Sequence, residues 1–309
     1  MKTALIGYTG FVGSNLALQY DFTDYYNSKN IQDIAGKSYD LCICAGVKAQ
    51  KWVANQQPDQ DLSDVQALID QLTKANIKRF VLISTIDVYP NPINVDEDTF
   101  IDKENHHPYG LNRLFLEEWV ANHYPKHHII RLPGLFGQNI KKNFIHDILY
   151  PVPALFNEAF YLSLKDKLST DDYGFISLRY PKQGINYVWD GKEEESVVSC
   201  LKRYEISSLM FTDSEDVFQF YDLSELRKHI TMCIDHELSV INFVTEPIQA
   251  RELYQYLFEQ SFVNNLNRKK QFYNIKTKYA HIFGGECGYL HIKAEMFSLI
   301  KKFMMEYQK

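Results

Sequence analysis

The sequence predicts an α/β fold: a doubly wound parallel sheet followed by a smaller C-terminal lobe. Three observations carry that expectation. Short apolar runs alternate with amphipathic helical stretches through the first half of the chain. A glycine-punctuated turn, Gly7-Tyr8-Thr9-Gly10-Phe11-Val12-Gly13, directly follows the first apolar run, Thr3-Ala4-Leu5-Ile6. Beyond Pro133 the alternation weakens into short mixed pieces.

Taken in order, Thr3 to Ile6 reads as a buried strand, and a helix follows the glycine turn to about Tyr20. Phe22 to Tyr26 is the next strand, ending at Asn27-Ser28-Lys29-Asn30. A brief helical segment spans Ile31 to Ala35, and the strand Asp40 to Cys44 breaks at Ala45-Gly46. Leu62, Val65, Leu68, Ile69 and Leu72 fall at helical spacing in a helix from about Pro58 to Ala75. Arg79 to Thr85 is a strand, Pro108 to His123 a helix, and His128 to Leu132 a strand. Parallel strands joined by helices imply right-handed crossovers. Val240 to Val244 reads as a strand returning to this sheet, and Glu246 to Gln260 and Glu295 to Gln308 as amphipathic helices. The expected division is 1–138 for the first domain and 139–309 for the lobe, with 239–260 rejoining the sheet. A lid or an interface is expected of Asn264 to Gly288.

Composition narrows the function. A formal net charge of -6 and the absence of a long basic run argue against a nucleic-acid surface. No stretch is long and apolar enough to span a bilayer. The five cysteines are scattered, and Cys42 and Cys44 alternate in an apolar strand as small core residues. A cytoplasmic protein is expected. The many histidines, among them His106, His107, His123, His127 and His128, form no ligand pattern, and no metal is expected.

Two constellations carry chemistry. A glycine turn between a strand and a helix aims backbone N–H groups at a phosphate, as dinucleotide sites do. Its spacing is Gly-x-x-Gly-x-x-Gly. The second is Tyr109 with Arg113, four apart and on one helix face. A cation beside a phenol stabilises phenolate and suits a tyrosine acid/base. Thr85 ends a strand, where open parallel sheets place ligands, and its hydroxyl could meet a substrate oxygen.

In these residues the chain resembles the extended short-chain dehydrogenase/reductases, the NAD-dependent epimerase/dehydratase group that acts largely on nucleotide sugars. The resemblance lies in the turn Gly7 to Gly13, Cys44-Ala45-Gly46, Ser84-Thr85-Ile86-Asp87-Val88-Tyr89, Pro108-Tyr109-Gly110-Leu111-Asn112-Arg113-Leu114 with Glu117, and Arg131-Leu132-Pro133-Gly134-Leu135-Phe136-Gly137. It covers about the first 145 residues, and Asn242 to Pro247 more loosely. It implies a Rossmann-type domain and catalysis by Tyr109, Thr85 and Arg113, with Asp87 as a further acid/base candidate. The implied cofactor contacts are Gly7, Thr9, Gly10, Phe11, Val12, Gly13, Asn27, Ser28, Lys29, Ala45, Gly46, Ser84, Tyr109, Arg113 and Leu132. For substrate it implies Asn143 and Lys142, with Lys141 an alternative beside a diphosphate. It also suggests a homodimer through a helix bundle, although core packing explains Leu114, Phe115 and Trp119 equally well.

Three departures stand out. The family lysine is Arg113, which is expected to hold the nicotinamide ribose and lower the tyrosine pKa. Asp64 falls near the position of an ordering asparagine. The 4,6-dehydratase Thr-Asp-Glu is Thr85-Ile86-Asp87, lacking the first acid. The neutral and cationic Asn27-Ser28-Lys29 leans the cofactor choice to NADP over NAD, with Asp33 as a counterargument. The expected function is an NAD(P)-dependent oxidoreductase or epimerase of a nucleotide sugar or a related carbonyl compound. The alternative is a dinucleotide-binding sensor or scaffold with little turnover.

Overall fold

The structure is a computed structural model and describes residues 1–307. Six parallel strands form the central sheet: β1 (Thr3–Ile6), β2 (Asp24–Tyr26), β3 (Leu41–Cys44), β4 (Phe80–Thr85), β5 (His127–Leu132) and β6 (Val240–Asn242). Their spatial order is β6-β5-β4-β3-β1-β2. The chain leaves β1 toward β2 and then returns to the other side for β3. The crevice at that reversal, outside the carboxyl ends of β1 and β3, is where such sheets take ligands.

The helices are α1 (Phe11–Gln19), α2 (Lys51–Gln56), α3 (Pro58–Leu72), α4 (Pro108–His123), α5 (Phe144–Leu149), α6 (Glu158–Lys167), α7 (Thr170–Arg179), α8 (Glu194–Lys202), α9 (Leu226–Asp235), α10 (Ala250–Phe258) and α11 (Lys293–Tyr307). Both faces of the sheet are covered. Ala4, Ile6, Cys42, Cys44 and Leu82 pack with Val65 and Ile69 of α3 and Leu116 and Val120 of α4. The alternate residues Leu5, Ile43, Val81 and Ile130 pack with Leu16 of α1 and Leu226, Ile230 and Cys233 of α9. That two-sided burial is why the strands read as unbroken apolar runs.

The second half builds two further cores. Phe136, Phe144, Phe220, Leu253, Met296 and Ile300 join α5, α10 and α11. Residues 152–206 hold their own core, with α6, α7 and α8 around a three-stranded antiparallel sheet of Leu155–Asn157, Asn186–Val188 and Lys182–Gln183. Residues 264–278 carry little regular structure but are anchored. Fully buried Asp213 accepts from Leu266 N at 2.7 Å and pairs with Lys270, and fully buried Asp216 accepts from Gln271 N at 2.8 Å and pairs with Arg268. No helix among the described residues is long and apolar enough to cross a membrane.

Among the boundaries that differ from expectation, three have a local cause. Helix α2 was not expected, because its six residues, Lys-Trp-Val-Ala-Asn-Gln, are too few to show a period. Helix α10 begins at Ala250 rather than Glu246, because Gln249 and Glu252 form a capping box that starts it there. Strand β6 stops at Asn242, whose side chain turns to Tyr89 and to the Lys276 carbonyl.

One buried ion pair locks α4 to the sheet. Glu117 and Arg131 are 3% and 6% exposed, and Arg131 Nη2 lies 2.6 Å from Glu117 Oε2. Ser84 donates to the same carboxylate at 2.5 Å, and Arg131 Nη1 donates to the Tyr89 hydroxyl at 2.8 Å. Removing one partner of such a pair leaves a charge stranded out of water. Arg131→Met is therefore expected to lower the unfolding free energy by about 3–5 kcal/mol. Urea denaturation with an unchanged m-value checks it.

Candidate active site

The glycine turn is built for close backbone approach. Gly7 has φ +84°, and a Cβ on it would stand 2.4 Å from the Ala45 carbonyl oxygen. A Cβ on Gly13 would stand 2.1 Å from the Gly7 carbonyl oxygen. These contacts press the turn between β3 and α1. Gly10 is the N-cap of α1 and offers no side-chain cap, so no side chain covers the N–H groups at that helix start. A cradle of this form fits a dinucleotide pyrophosphate. Thr9 and Gly10 are exposed at its tip, with Phe11 and Val12 half-buried behind them. Buried Asn15 ties the turn to the lobe: its Nδ2 donates to the Phe11 and Gln138 carbonyls, each at 2.8 Å, and its Oδ1 accepts from Gln138 N at 3.0 Å.

At the end of β2, the Asn27 side-chain oxygen accepts from Lys29 N at 2.9 Å, and Asn30 accepts from Asn27 N at 2.7 Å. These bonds close the turn and leave Ser28 and Lys29 exposed. The only acid within β2, Asp24, instead accepts from the Tyr39 hydroxyl at 2.6 Å.

Helix α4 presents the second half of the site. Pro108 fills its first turn, and two side chains satisfy the N–H groups there. His107 Nδ1 accepts from Gly110 N at 3.0 Å, and Asn55 of α2 accepts from Tyr109 N at 3.0 Å. Tyr109 is buried, and the Arg113 guanidinium lies 4.4 Å from its ring centroid. Thr85 accepts from Asp87 N at 3.1 Å, which leaves its hydroxyl proton for another acceptor. Asp87 pairs with Lys51 at 2.6 Å, and the Tyr273 hydroxyl lies 3.5 Å from the same carboxylate oxygen.

Burial raises the Tyr109 pKa above the usual phenol value. The Arg113 charge and hydrogen bonding from Arg113 and Thr85 pull it back, while Asp87 adds to the rise. The net direction is upward: Arg113 lowers the phenol pKa, and burial outweighs it. Asp61, buried on α3, binds both terminal nitrogens of Arg113. Nη1 donates to Oδ2 and Nη2 to Oδ1, each at 2.9 Å, while Nη2 also donates to the Lys48 carbonyl at 2.5 Å. Asn112 donates to Asp61 as well, at 2.9 Å.

The remaining expected residues are placed as follows. Ala45 and Gly46 border the glycine turn. The Ser84 hydroxyl is engaged by Glu117, and Leu132 is buried in the core behind the site. Asn143 caps α5, accepting from Ile145 N and His146 N and donating to the Leu135 carbonyl. Those bonds use its polar atoms locally. Lys142 reaches across to the Ala49 carbonyl at 2.6 Å. Burial lowers its pKa, and the nearby Asp87 charge opposes the shift. Asp64 pairs with exposed Lys48 at 2.7 Å, and the Lys48 carbonyl binds Arg113. Sequence reasoning missed Asp61, Lys51, Asn55 and Tyr273. Asp61 left a trace: it begins the buried stripe Asp61, Val65, Ile69, Leu72 of α3.

The fold is of the Rossmann type, and its glycine turn has the form of a phosphate cradle. Residues 20–152 match the model of the NAD dependent epimerase/dehydratase family. A bifunctional UDP-glucose 4-epimerase and UDP-xylose 4-epimerase of Pisum sativum is 35% identical over 116 residues, covering 35% of this chain and 33% of the pea protein. The match thus spans about a third of that relative's length. Over the whole chain, the structure resembles a dTDP-4-dehydrorhamnose reductase of Clostridium acetobutylicum, with TM-score 0.61, 13% identity and full coverage of both chains. It also resembles a UDP-glucose 4-epimerase of Thermotoga maritima, with TM-score 0.60, 13% identity and coverage of 100% and 99%. At such identities the likeness is one of fold.

Two outcomes are expected. Gly13→Ala drives a Cβ into backbone, so it should weaken NADH or NADPH binding at least tenfold, read by fluorescence titration, and destabilise the fold by about 1–3 kcal/mol. His107 titrates at about 4, lowered by burial and by Lys51. Its folded pKa lies below the unfolded value, so its stabilising contribution is complete above about pH 6.5 and is lost as pH falls toward 4. His107→Asn caps without titrating. It should flatten part of the stability loss between pH 7 and 4, measured by urea melts across that range.

Proposed function

We propose that this protein is an NAD(P)-dependent oxidoreductase or epimerase of nucleotide sugars, with Tyr109 moving the proton. One observation supports this above the others: Tyr109 and Thr85 converge at the carboxyl end of β4, beside the glycine cradle that ends β1. When bound, a nicotinamide dinucleotide supplies or accepts the hydride. Tyr109 gives a proton to, or takes one from, the sugar oxygen, and Thr85 hydrogen-bonds that same oxygen. Arg113 steadies the phenol from the face of its ring.

In this reading Asn27, Ser28 and Lys29 favour NADP, since no acid ends β2. Lys142 and Lys51 bring positive charge to the mouth, where a sugar diphosphate would lie, and Asp87 with Tyr273 borders the sugar. The missing first acid at Ile86 argues against 4,6-dehydration. A homodimer through α3 and α4 is part of the proposal; Phe115 of α4 is 40% exposed while neighbouring Leu114 is buried. The buried free thiols Cys42, Cys44, Cys200 and Cys233 accord with a cytoplasmic setting.

A second reading, a dinucleotide-binding sensor or scaffold, is favoured by one feature: three of Arg113's hydrogen bonds go to Asp61 and Lys48, which limits its reach to a ribose. The test is to titrate the purified protein with NADH and NADPH, then screen UDP-, GDP- and dTDP-sugars and their keto forms for hydride exchange. Turnover that falls about 10²–10⁴-fold in Tyr109→Phe, with dinucleotide affinity unchanged, is expected. Wild-type turnover in that variant overturns the mechanism. Tight dinucleotide binding without any exchange points to the sensor.

A further inference from the structure

Arg113 stands where a lone cation would favour phenolate, yet it is not a lone cation. Asp61 holds both of its terminal nitrogens at 2.9 Å, in the flat two-bond geometry a carboxylate and a guanidinium share. Both side chains are shut away from water, Arg113 at 5% and Asp61 at 8% side-chain exposure. The pair is fixed from two more directions. Asn112 and the Lys48 carbonyl bind it at the edges, and the Tyr109 ring lies against the guanidinium face at 4.4 Å. Nothing in this arrangement lets the guanidinium swing away from the carboxylate. The phenol therefore meets a cation already paired with a carboxylate rather than a free one, at distances where charge in a dry site acts strongly.

We infer that Asp61 is a positioning residue that pins Arg113 flat against Tyr109 and cancels most of its charge, so that the phenol is kept as a proton donor and the site is biased toward reducing a keto sugar. This rests on the function proposed above and narrows it. An epimerase must take a proton and later return one, whereas a carbonyl reductase needs only to donate. In the reducing direction the Tyr109 proton passes to the carbonyl oxygen while the carbonyl carbon gains hydride from the reduced dinucleotide. The ketone becomes an alcohol, the dinucleotide is oxidised, and the phenolate is reprotonated from water. Burial holds the Tyr109 pKa above the usual phenol value, with Asp87 adding to the rise and Arg113 and Thr85 opposing it, so the phenol is favoured as the proton-bearing form.

The test reads the phenol itself. Protein labelled with ¹³C at tyrosine Cζ is titrated by NMR, and the Tyr109 signal is assigned by its loss in Tyr109→Phe. Asp61→Asn leaves Arg113 uncompensated, so the Tyr109 midpoint should fall by about one pH unit or more, a tenfold gain in acidity. Arg113→Gln leaves Asp61 uncompensated, so the midpoint should rise. Opposite signs in the two single variants support the pairing. An unchanged or raised midpoint in Asp61→Asn overturns it. Should Asp61→Asn fail to fold, a midpoint in Arg113→Gln that stays or falls overturns it equally. The same variants are then assayed in both directions, where Asp61→Asn should raise alcohol oxidation relative to ketone reduction and move the pH profile of oxidation downward. Shifts in the phenol without hydride exchange on any keto sugar would overturn the functional reading and leave the pairing standing. Turnover with no shift in the phenol would overturn the pairing alone.

Discussion

The Glu117–Arg131 pair decides where α4 lies, and the candidate site follows from α4. A carboxylate and a guanidinium buried together lose their hydration, which favours folding only if every remaining donor and acceptor is met. Here they are met. Ser84 of β4, Tyr89 beyond it and, through Tyr89, Asn242 of β6 complete the network. The pair thus crosses the sheet from β4 through β5 to β6 and pulls one stripe of α4 against its carboxyl end. Tyr109, Arg113 and Glu117 recur every four residues on that stripe. Fixing Glu117 therefore aims Tyr109, two turns upstream, at Thr85. The network sets their geometry from both sides, through Ser84 beside Thr85 and through the stiff helix that joins Glu117 to Tyr109.

The two halves of the site depend on different kinds of constraint. The glycine turn depends on absence: side chains at Gly7 and Gly13 would collide with backbone at 2.4 and 2.1 Å. The α4 half depends on charge pairs that must each be complete. Asn15 joins the turn to the segment entering the lobe through three hydrogen bonds to Gln138 and Phe11. Movement of that segment would therefore pull on α1, which carries the start of the cradle.

What the sequence showed and what it hid divide along a physical line. The strands were legible because burial on both faces leaves only apolar residues, and α4 because Pro108 starts it and its pattern runs to His123. The glycine turn between β1 and α1, the strand end at Thr85 and the helix start at Tyr109 were legible because each follows from local pattern. Asp61 was hidden because an acid on a helix reads as solvated until its partner is known, and that partner lies 52 residues away. Tyr273 was hidden for the same reason. The anchors that place its segment, Asp213 and Asp216, are about as far away in sequence and look like ordinary surface acids. The separate core within 152–206 was hidden because its strands are only two or three residues long. The roles expected of Asn143, Ser84 and Leu132 came from resemblance, and locally their polar atoms or bulk serve capping, the ion-pair network and the core.

An arginine in place of lysine on α4 is not a small change in this setting. A lysine ammonium is a compact charge on a flexible stem, and it loses its proton when its surroundings demand it. A guanidinium keeps its charge, so at 4% exposure it requires a carboxylate or a large destabilisation. Asp61 meets that requirement, with Asn112 and the Lys48 carbonyl taking the remaining polar edges. The two residues therefore form one unit: Arg113 without Asp61 is a stranded cation, and Asp61 without Arg113 a stranded anion. A lysine at position 113 would fill only part of the space and leave one carboxylate oxygen less well bound. The charge the phenol meets is thus a property of the pair rather than of Arg113 alone.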